Sequence, residues 1–79
     1  MDEDQQEQKK FLEQQLQWSK EQSRILVEIE EKLHKMKEIA EYALKHELSP
    51  IEINILNGQL NDLKNEVLSL EKQLHSIVH

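Results

Sequence analysis

The segment that decides the fold is residues 47–52, which read Glu-Leu-Ser-Pro-Ile-Glu. Pro50 disfavours helical geometry at the residue before it, whereas its own fixed φ angle suits the first position of a helix. Ser49 can cap that helix, and Glu52, three residues later, completes the pattern of a capping box. The segment therefore predicts that one helix ends before Ser49 and that another begins at Pro50.

After the turn, apolar residues recur at alternating steps of three and four, as at the a and d positions of a coiled coil. The residues of this seam are Ile53, Leu56, Leu60, Leu63, Val67, Leu70, Leu74 and Ile77. No heptad position is missed. The pattern predicts a helix over about 50–78 with one continuous apolar edge.

Before the turn, apolar residues recur at helical spacing from Phe11 to Leu44. The best-formed seam in this part of the chain consists of Leu26, Ile29, Leu33, Met36, Ala40 and Ala43. Ile25 and Ile39, with Leu44, widen it into a stripe that is broader than a two-stranded seam, which favours contact with more than one neighbour. We predict a helix over about 11–46.

The predicted fold is all-α, an antiparallel, coiled-coil-like two-helix hairpin over residues 11–79. A turn as short as 47–49 normally folds two long amphipathic helices back side by side. One Gly, one Pro and 33% charged residues are also typical of long helices. Residues 1–10 contain no apolar side chain after Met1, so we expect this segment to fray.

The two predicted helices differ in length, about 60 Å against about 45 Å at 1.5 Å per residue. The first helix should therefore extend past the end of the second, at the level of Trp18 and His79. Uncovered apolar residues usually mark an interaction site, and a symmetric dimer forming a four-helix bundle would cover them. The predicted dimer interface consists of Phe11, Leu12, Leu16, Trp18 and Ile25. The alternative is a frayed extension whose apolar residues lie exposed.

Composition argues against several partners and compartments. The net charge is −6 and the ten Lys and Arg are scattered among acids, so we expect no nucleic-acid partner. No apolar run approaches the length of a membrane span, and the acidic start lacks the features of a secretory signal. The absence of Cys fits a reducing compartment. We therefore expect a cytoplasmic protein without a membrane partner.

Catalysis within the chain is not expected. A chain of 79 residues buries too little surface to enclose a deep pocket, and it has no phosphate-binding Gly loop or zinc-protease motif. Glu71, His75 and His79 have a spacing that a divalent metal could use, but the helix dipole already explains His residues near a helix C-terminus. The sequence thus predicts no catalytic residue, no metal and no cofactor.

One segment resembles a known family. Residues 48–67, LSPIEINILNGQLNDLKNEV, resemble the second helix of the small helical-hairpin aspartyl-phosphate phosphatases of the bacterial sporulation phosphorelay. The residues that agree are Leu48, Ser49, Glu52, Ile53, Leu56, Leu60, Leu63 and Asn65. Where that family has Ser-Gln-Glu-Leu-Asp, this chain reads Asn57-Gly58-Gln59-Leu60-Asn61, so Asn61 replaces the key Asp. The resemblance implies a phosphorelay regulator with altered or lost phosphatase activity.

The residues themselves favour a different function. They predict a non-enzymatic, homodimeric interaction or regulatory module that presents a helical surface to an unidentified protein partner, and the resemblance places such a module in bacterial regulation. A third possibility, a parallel and extended coiled-coil rod, would have to continue through Pro50. Proline inside a helix costs about 3 kcal/mol or more, so Pro50 argues against the rod.

Overall fold

The computed structural model describes residues 2–78, which form two α-helices and a short turn. Helix α1 spans Asp2–Lys45 and helix α2 spans Pro50–Val78. The helices pack against each other in opposite directions and form a rod of 71 × 18 × 12 Å. The described residues contain no strand. The predicted all-α hairpin is therefore confirmed.

Ser49 caps α2 at the turn. The backbone N–H of Glu52 donates a hydrogen bond to Ser49 Oγ at 3.2 Å, and the Ser49 hydroxyl donates to Glu52 Oε1 at 3.3 Å. The N–H of Ile53 donates to the Ser49 carbonyl at 2.9 Å. Pro50 occupies the first position of α2, where its missing N–H leaves no donor unsatisfied. Local hydrogen bonds thus fix where the chain reverses.

Helix α1 begins before the predicted start at about residue 11, because residues 2–10 are also helical. Gln, Glu and Lys are good helix formers, and extending an existing helix adds one hydrogen bond for each residue that is fixed. Asp2, Glu3 and Asp4 lie in the first turn, where carboxylates interact favourably with the helix dipole. The predicted helix start is therefore wrong, and fraying of this segment in solution stays a prediction.

The hydrophobic core is small. Its buried residues are Ile25 of α1 and Val67 and Leu70 of α2, with exposures of 0%, 7% and 8%. Most other seam residues of α2 are half-buried, namely Leu56, Leu60, Leu63, Leu74 and Ile77. Ile53, beside the turn, is exposed. The centre of the core therefore lies towards the end of α2 that is farther from the turn.

The face of α1 that contacts α2 differs from the predicted one. Its buried and half-buried seam residues are Gln22, Ile25, Ile29, Lys32, Met36 and Ile39. Of the predicted seam residues, Ile29 and Met36 lie on this face. Leu26 and Leu33 are 48% and 50% exposed, and Ala40 and Ala43 are also exposed.

This shift corrects two predictions. Leu26, Leu33 and Ala40 lie beside the seam rather than in it, because Ile25, Lys32 and Ile39 take the corresponding layers. Ile25 was assigned to the dimer interface, yet it is fully buried inside the single hairpin. The prediction chose the wrong residues because it placed the apolar Leu33, rather than the charged Lys32, in the middle layer of the seam.

Candidate interaction surfaces

Trp18 marks the level at which α2 ends. Its indole N–H donates a hydrogen bond to the carbonyl of Ile77. This carbonyl lies in the last turn of α2, where backbone acceptors have no partner within the helix. A side chain of α1 thus caps α2, while His79 lies outside the described residues. Residues 2–17 of α1 extend past this level by about 24 Å.

The first candidate surface is this extension, which we call the overhang and define as residues 2–17. Phe11, Leu12 and Leu16 are each more than half exposed, since α2 does not reach them. Trp18, at the edge of the overhang, is 38% exposed. Four of the five residues predicted at the dimer interface are therefore on the surface of the hairpin. The fifth, Ile25, is not.

The second candidate surface runs along α1 beside the seam. We call it the α1 flank and define its apolar residues as Leu12, Leu16, Leu26, Leu33, Ala40 and Leu44. All of them are exposed in the hairpin, and Leu44 is 87% exposed. The flank and the overhang share Leu12 and Leu16. The exposed apolar residues of α1 therefore form a stripe from the overhang to the turn.

The third candidate surface is an open groove between the two helices near the turn. Its lining consists of Glu38, Ile39, Tyr42, Glu52, Ile55 and Leu56. The groove is mainly apolar and has a carboxylate on each helix. Tyr42 is held by stacking on His46, with ring centroids 4.1 Å apart and planes 20° from parallel. We call this surface the turn-end groove.

Sequence reasoning did not identify the turn-end groove. Tyr42 and Ile55 are exposed large apolar side chains that lie on neither predicted seam. Large apolar residues outside a seam can indicate a binding surface, because packing between the two helices does not account for them. Their location on facing helices follows only from the hairpin register.

One ion pair fixes that register across the seam. Lys32 Nζ lies 3.1 Å from Glu66 Oε2 on the opposite helix. Other ion pairs, such as Arg24 with Glu28 at 2.8 Å, lie within α1. A charged residue in a coiled-coil seam favours the one alignment in which it finds its partner. Lys32 is thus a determinant of helix alignment rather than a binding residue.

The α2 segment 57–62 is exposed apart from Leu60, which is half-buried in the seam. Gln59, Asn61 and Asp62 are exposed. A Cβ built on Gly58 would meet nothing within 4 Å, so this glycine does not mark close approach of the two helices. The segment therefore presents amide and carboxylate groups that a bound protein could reach.

The described residues show neither a membrane-spanning segment nor a metal cluster. Within residues 2–78, neither helix contains an apolar stretch long enough to cross a membrane. The same part of the chain brings together no group of three His, Asp or Glu side chains that could hold a metal ion.

Comparisons with known proteins gave no match among protein-family models, curated proteins or solved structures. The function must therefore be argued from the three surfaces.

Proposed function

We propose that this chain is a non-enzymatic helical interaction module that acts as a homodimer and binds a protein partner. The observation that carries the proposal is the row of exposed apolar side chains along the overhang and the α1 flank, which extends from Leu12 to Leu44 with polar residues between its members. Exposed apolar surface of this kind is typical of protein interaction sites. A second copy of the chain would remove it from water.

The small core supports the same conclusion. Among residues 2–77, only Ile25, Val67 and Leu70 are buried in the hairpin. Chains of this size bury a small fraction of their surface and often need oligomerisation to gain stability. A dimer would add apolar contacts that the single hairpin lacks.

The turn-end groove is the surface that we assign to the protein partner. Its apolar lining can accept apolar side chains, and Glu38 and Glu52 lie at its edges. Complementary charges steer association and favour correct partners. The groove therefore fits a partner segment that carries apolar residues flanked by Lys or Arg.

Self-association is tested by analytical ultracentrifugation of the pure protein at micromolar concentration. We expect twice the chain mass. Leu26→Ser, which changes an exposed residue of the α1 flank, should shift the equilibrium towards the single chain. Val27→Ser, also at an exposed position but outside the flank, is the matched control and should leave the dimer intact. Monomer alone at these concentrations would rule out the homodimer.

Partner binding is tested with the Tyr42→Ser, Ile55→Ser double variant, which removes two exposed apolar residues of the turn-end groove. A protein that is crosslinked to the wild type in extracts of the source cells should be lost with this variant. It should still be captured by Val27→Ser. Equal capture by all three proteins would show that the groove is not the binding surface.

A second candidate function is that of a phosphorelay regulator. It is supported by the capped turn, which leads into an α2 segment with Gln59, Asn61 and Asp62 exposed. A positioned amide or carboxylate can orient water towards a phosphoryl group held on another protein. An amide at Asn61 cannot accept a proton as a carboxylate does, so we propose that this regulator binds its target with little or no hydrolysis.

This candidate is tested by incubating phosphorylated response regulators with the wild type and with Asn61→Asp. We expect the variant to accelerate loss of phosphate by roughly a hundredfold, the lower range for acid–base assistance. The wild type should bind the regulator and stay near the rate in buffer. If neither protein binds, and neither changes the rate, the phosphorelay proposal is wrong.

A further inference from the structure

The α1 flank has the spacing of a complete second heptad seam. Its apolar residues and the intervening Ser19, Ser23, Glu30 and Lys37 follow one another at steps of four and three from Leu12 to Leu44. All of these positions are exposed in the hairpin. The first seam of α1, which contains Ile25, Ile29 and Lys32, already faces α2. The second seam therefore lies on an adjacent side of α1, rotated by about a quarter turn about the helix axis from the first.

We infer that the α1 flank binds the same flank of a second copy of this chain, running antiparallel, with a two-fold axis level with residue 28. This inference rests on the proposed homodimer and specifies its interface. An isologous contact requires a surface that is complementary to itself. Residue 28 lies midway between Leu12 and Leu44 and also midway between Leu16 and Ala40. The two ends of the flank therefore match each other in apolar layers.

The charged residues of the flank favour the antiparallel orientation. Parallel copies would place Glu30 against Glu30 and Lys37 against Lys37, and like charges at facing positions are destabilising. Antiparallel copies instead place Glu30 level with Leu26 and Lys37 level with Ser19. Beyond the apolar residues, α1 ends at Lys45, and Glu47 follows in the turn near the level of Lys9 of the second copy. Opposite charges thus flank both ends of the contact.

Helix α2 agrees with this axis. A two-fold axis perpendicular to the helices places both copies of α2 on the same side, which closes a four-helix bundle. The contacts of Trp18 with Ile77 and of Lys32 with Glu66 place residue 28 level with about residues 67–70 of α2. Leu68 is 46% exposed. Heptad geometry puts Leu68 on the same side of the hairpin as the α1 flank, so it would meet its own copy at the axis.

The charges beside Leu68 also fit. Lys64 and Glu71 lie on the same side of α2, four residues before Leu68 and three residues after it. In an antiparallel pair, Lys64 of each copy comes level with Glu71 of the other. The turn-end groove lies on the opposite side of the hairpin. Its residues Tyr42 and Glu52 each come directly before a seam position of their helix, whereas the residues of the α1 flank such as Leu26 come directly after one. The bundle therefore leaves that groove open.

Disulfide crosslinking tests the inferred interface, because the chain contains no Cys. Leu12→Cys and Leu44→Cys change exposed residues, so each variant should retain the hairpin. After the two variants are mixed and equilibrated, we expect covalent dimers that contain one copy of each. Each variant alone should crosslink roughly a hundredfold more slowly, because only the mixed pair has the millimolar effective concentration of neighbouring groups.

The outcomes separate the interface from the homodimer itself. Rapid crosslinking of Leu12→Cys alone would indicate either parallel copies or a contact through the overhangs, and both would overturn the inference. A dimer by ultracentrifugation without mixed crosslinking would show that another surface forms the contact, which also overturns it and leaves the homodimer standing. Monomer in both experiments would remove the homodimer as well.

As a second measurement, Lys9→Glu and Glu47→Lys should each weaken the dimer, and the double variant should restore it.

Discussion

At the scale of single residues, Ile25 and Leu26 report directly on the register of α1. Ile25 is fully buried whereas Leu26 is 48% exposed. Ile25→Ala should lower the free energy of unfolding by about 2–5 kcal/mol, because it leaves a cavity between the helices. Leu26→Ala should cost less than about 1 kcal/mol in the single chain. Chemical denaturation at protein concentrations too low for dimerisation measures the free energy of unfolding of both variants. If the two variants lose equal stability, Leu26 lies in the seam after all.

Sequence alone could not separate these two neighbours. Ile29 and Met36 lie on the seam in both the predicted and the observed registers. The choice between the two registers therefore depended on the residues in the layers between and beside these two. There the sequence offers Ile25, Lys32 and Ile39 or Leu26, Leu33 and Ala40. Apolar content favours the second set. The structure uses the first set because Lys32 reaches Glu66 on α2 with its charged end, while its side chain is only 30% exposed.

At the scale of helices, the turn was the most predictable element, and Ser49 shows why. Its hydroxyl accepts the N–H of Glu52, which has no partner within α2. Ser49→Ala should cost about 1 kcal/mol of unfolding free energy, whereas Ser49→Asp should be tolerated because Asp is an equally good cap. Thermal unfolding of the two variants provides the comparison. Equal stability of Ser49→Ala and the wild type would mean that Pro50 alone defines the turn.

The other end of α2 has a cap that no sequence pattern indicated. Trp18 and Ile77 are 59 residues apart in the chain and come together only once the helices align. Trp18→Phe retains an aromatic ring but removes the N–H donor, and a lost hydrogen bond of this kind costs about 0.5–1.5 kcal/mol. Hydrogen exchange should accelerate in the last turn of α2 and stay unchanged beside the turn at Ser49. Uniform acceleration along both helices would instead indicate a general loss of packing.

What the sequence could predict about the helices follows from the range of the interactions involved. The start of α2 depends on Ser49, Pro50 and Glu52, which are neighbours in the chain, so it was predictable. The start of α1 depends on propagation from a helix that is stabilised elsewhere, and the predicted start at about residue 11 missed it. The turn-end groove needs two helices in register, which local patterns do not provide.

At the scale of the whole molecule, the hairpin is a thin rod with apolar side chains on several sides. Its cross-section of 18 × 12 Å leaves room for only one layer of contacts between α1 and α2. Exposed apolar residues remain at both ends of α1, in the overhang and at Leu44 beside the turn. In an antiparallel pair, the overhang of each copy covers the exposed residues beside the turn of the other copy. A pair formed through the overhangs alone would leave Leu26, Leu33 and Leu44 in water.

These two arrangements differ in length, which small-angle X-ray scattering can measure. The single hairpin is 71 Å long. Antiparallel copies centred on residue 28 overlap along most of α1, so the dimer should be about 80 Å long at 1.5 Å per residue. Copies joined only by their overhangs should reach about 120 Å. We therefore expect the scattering mass to double while the maximum dimension increases by only about 10 Å. A dimer of about 120 Å would place the contact in the overhang and remove the α1 flank from the interface.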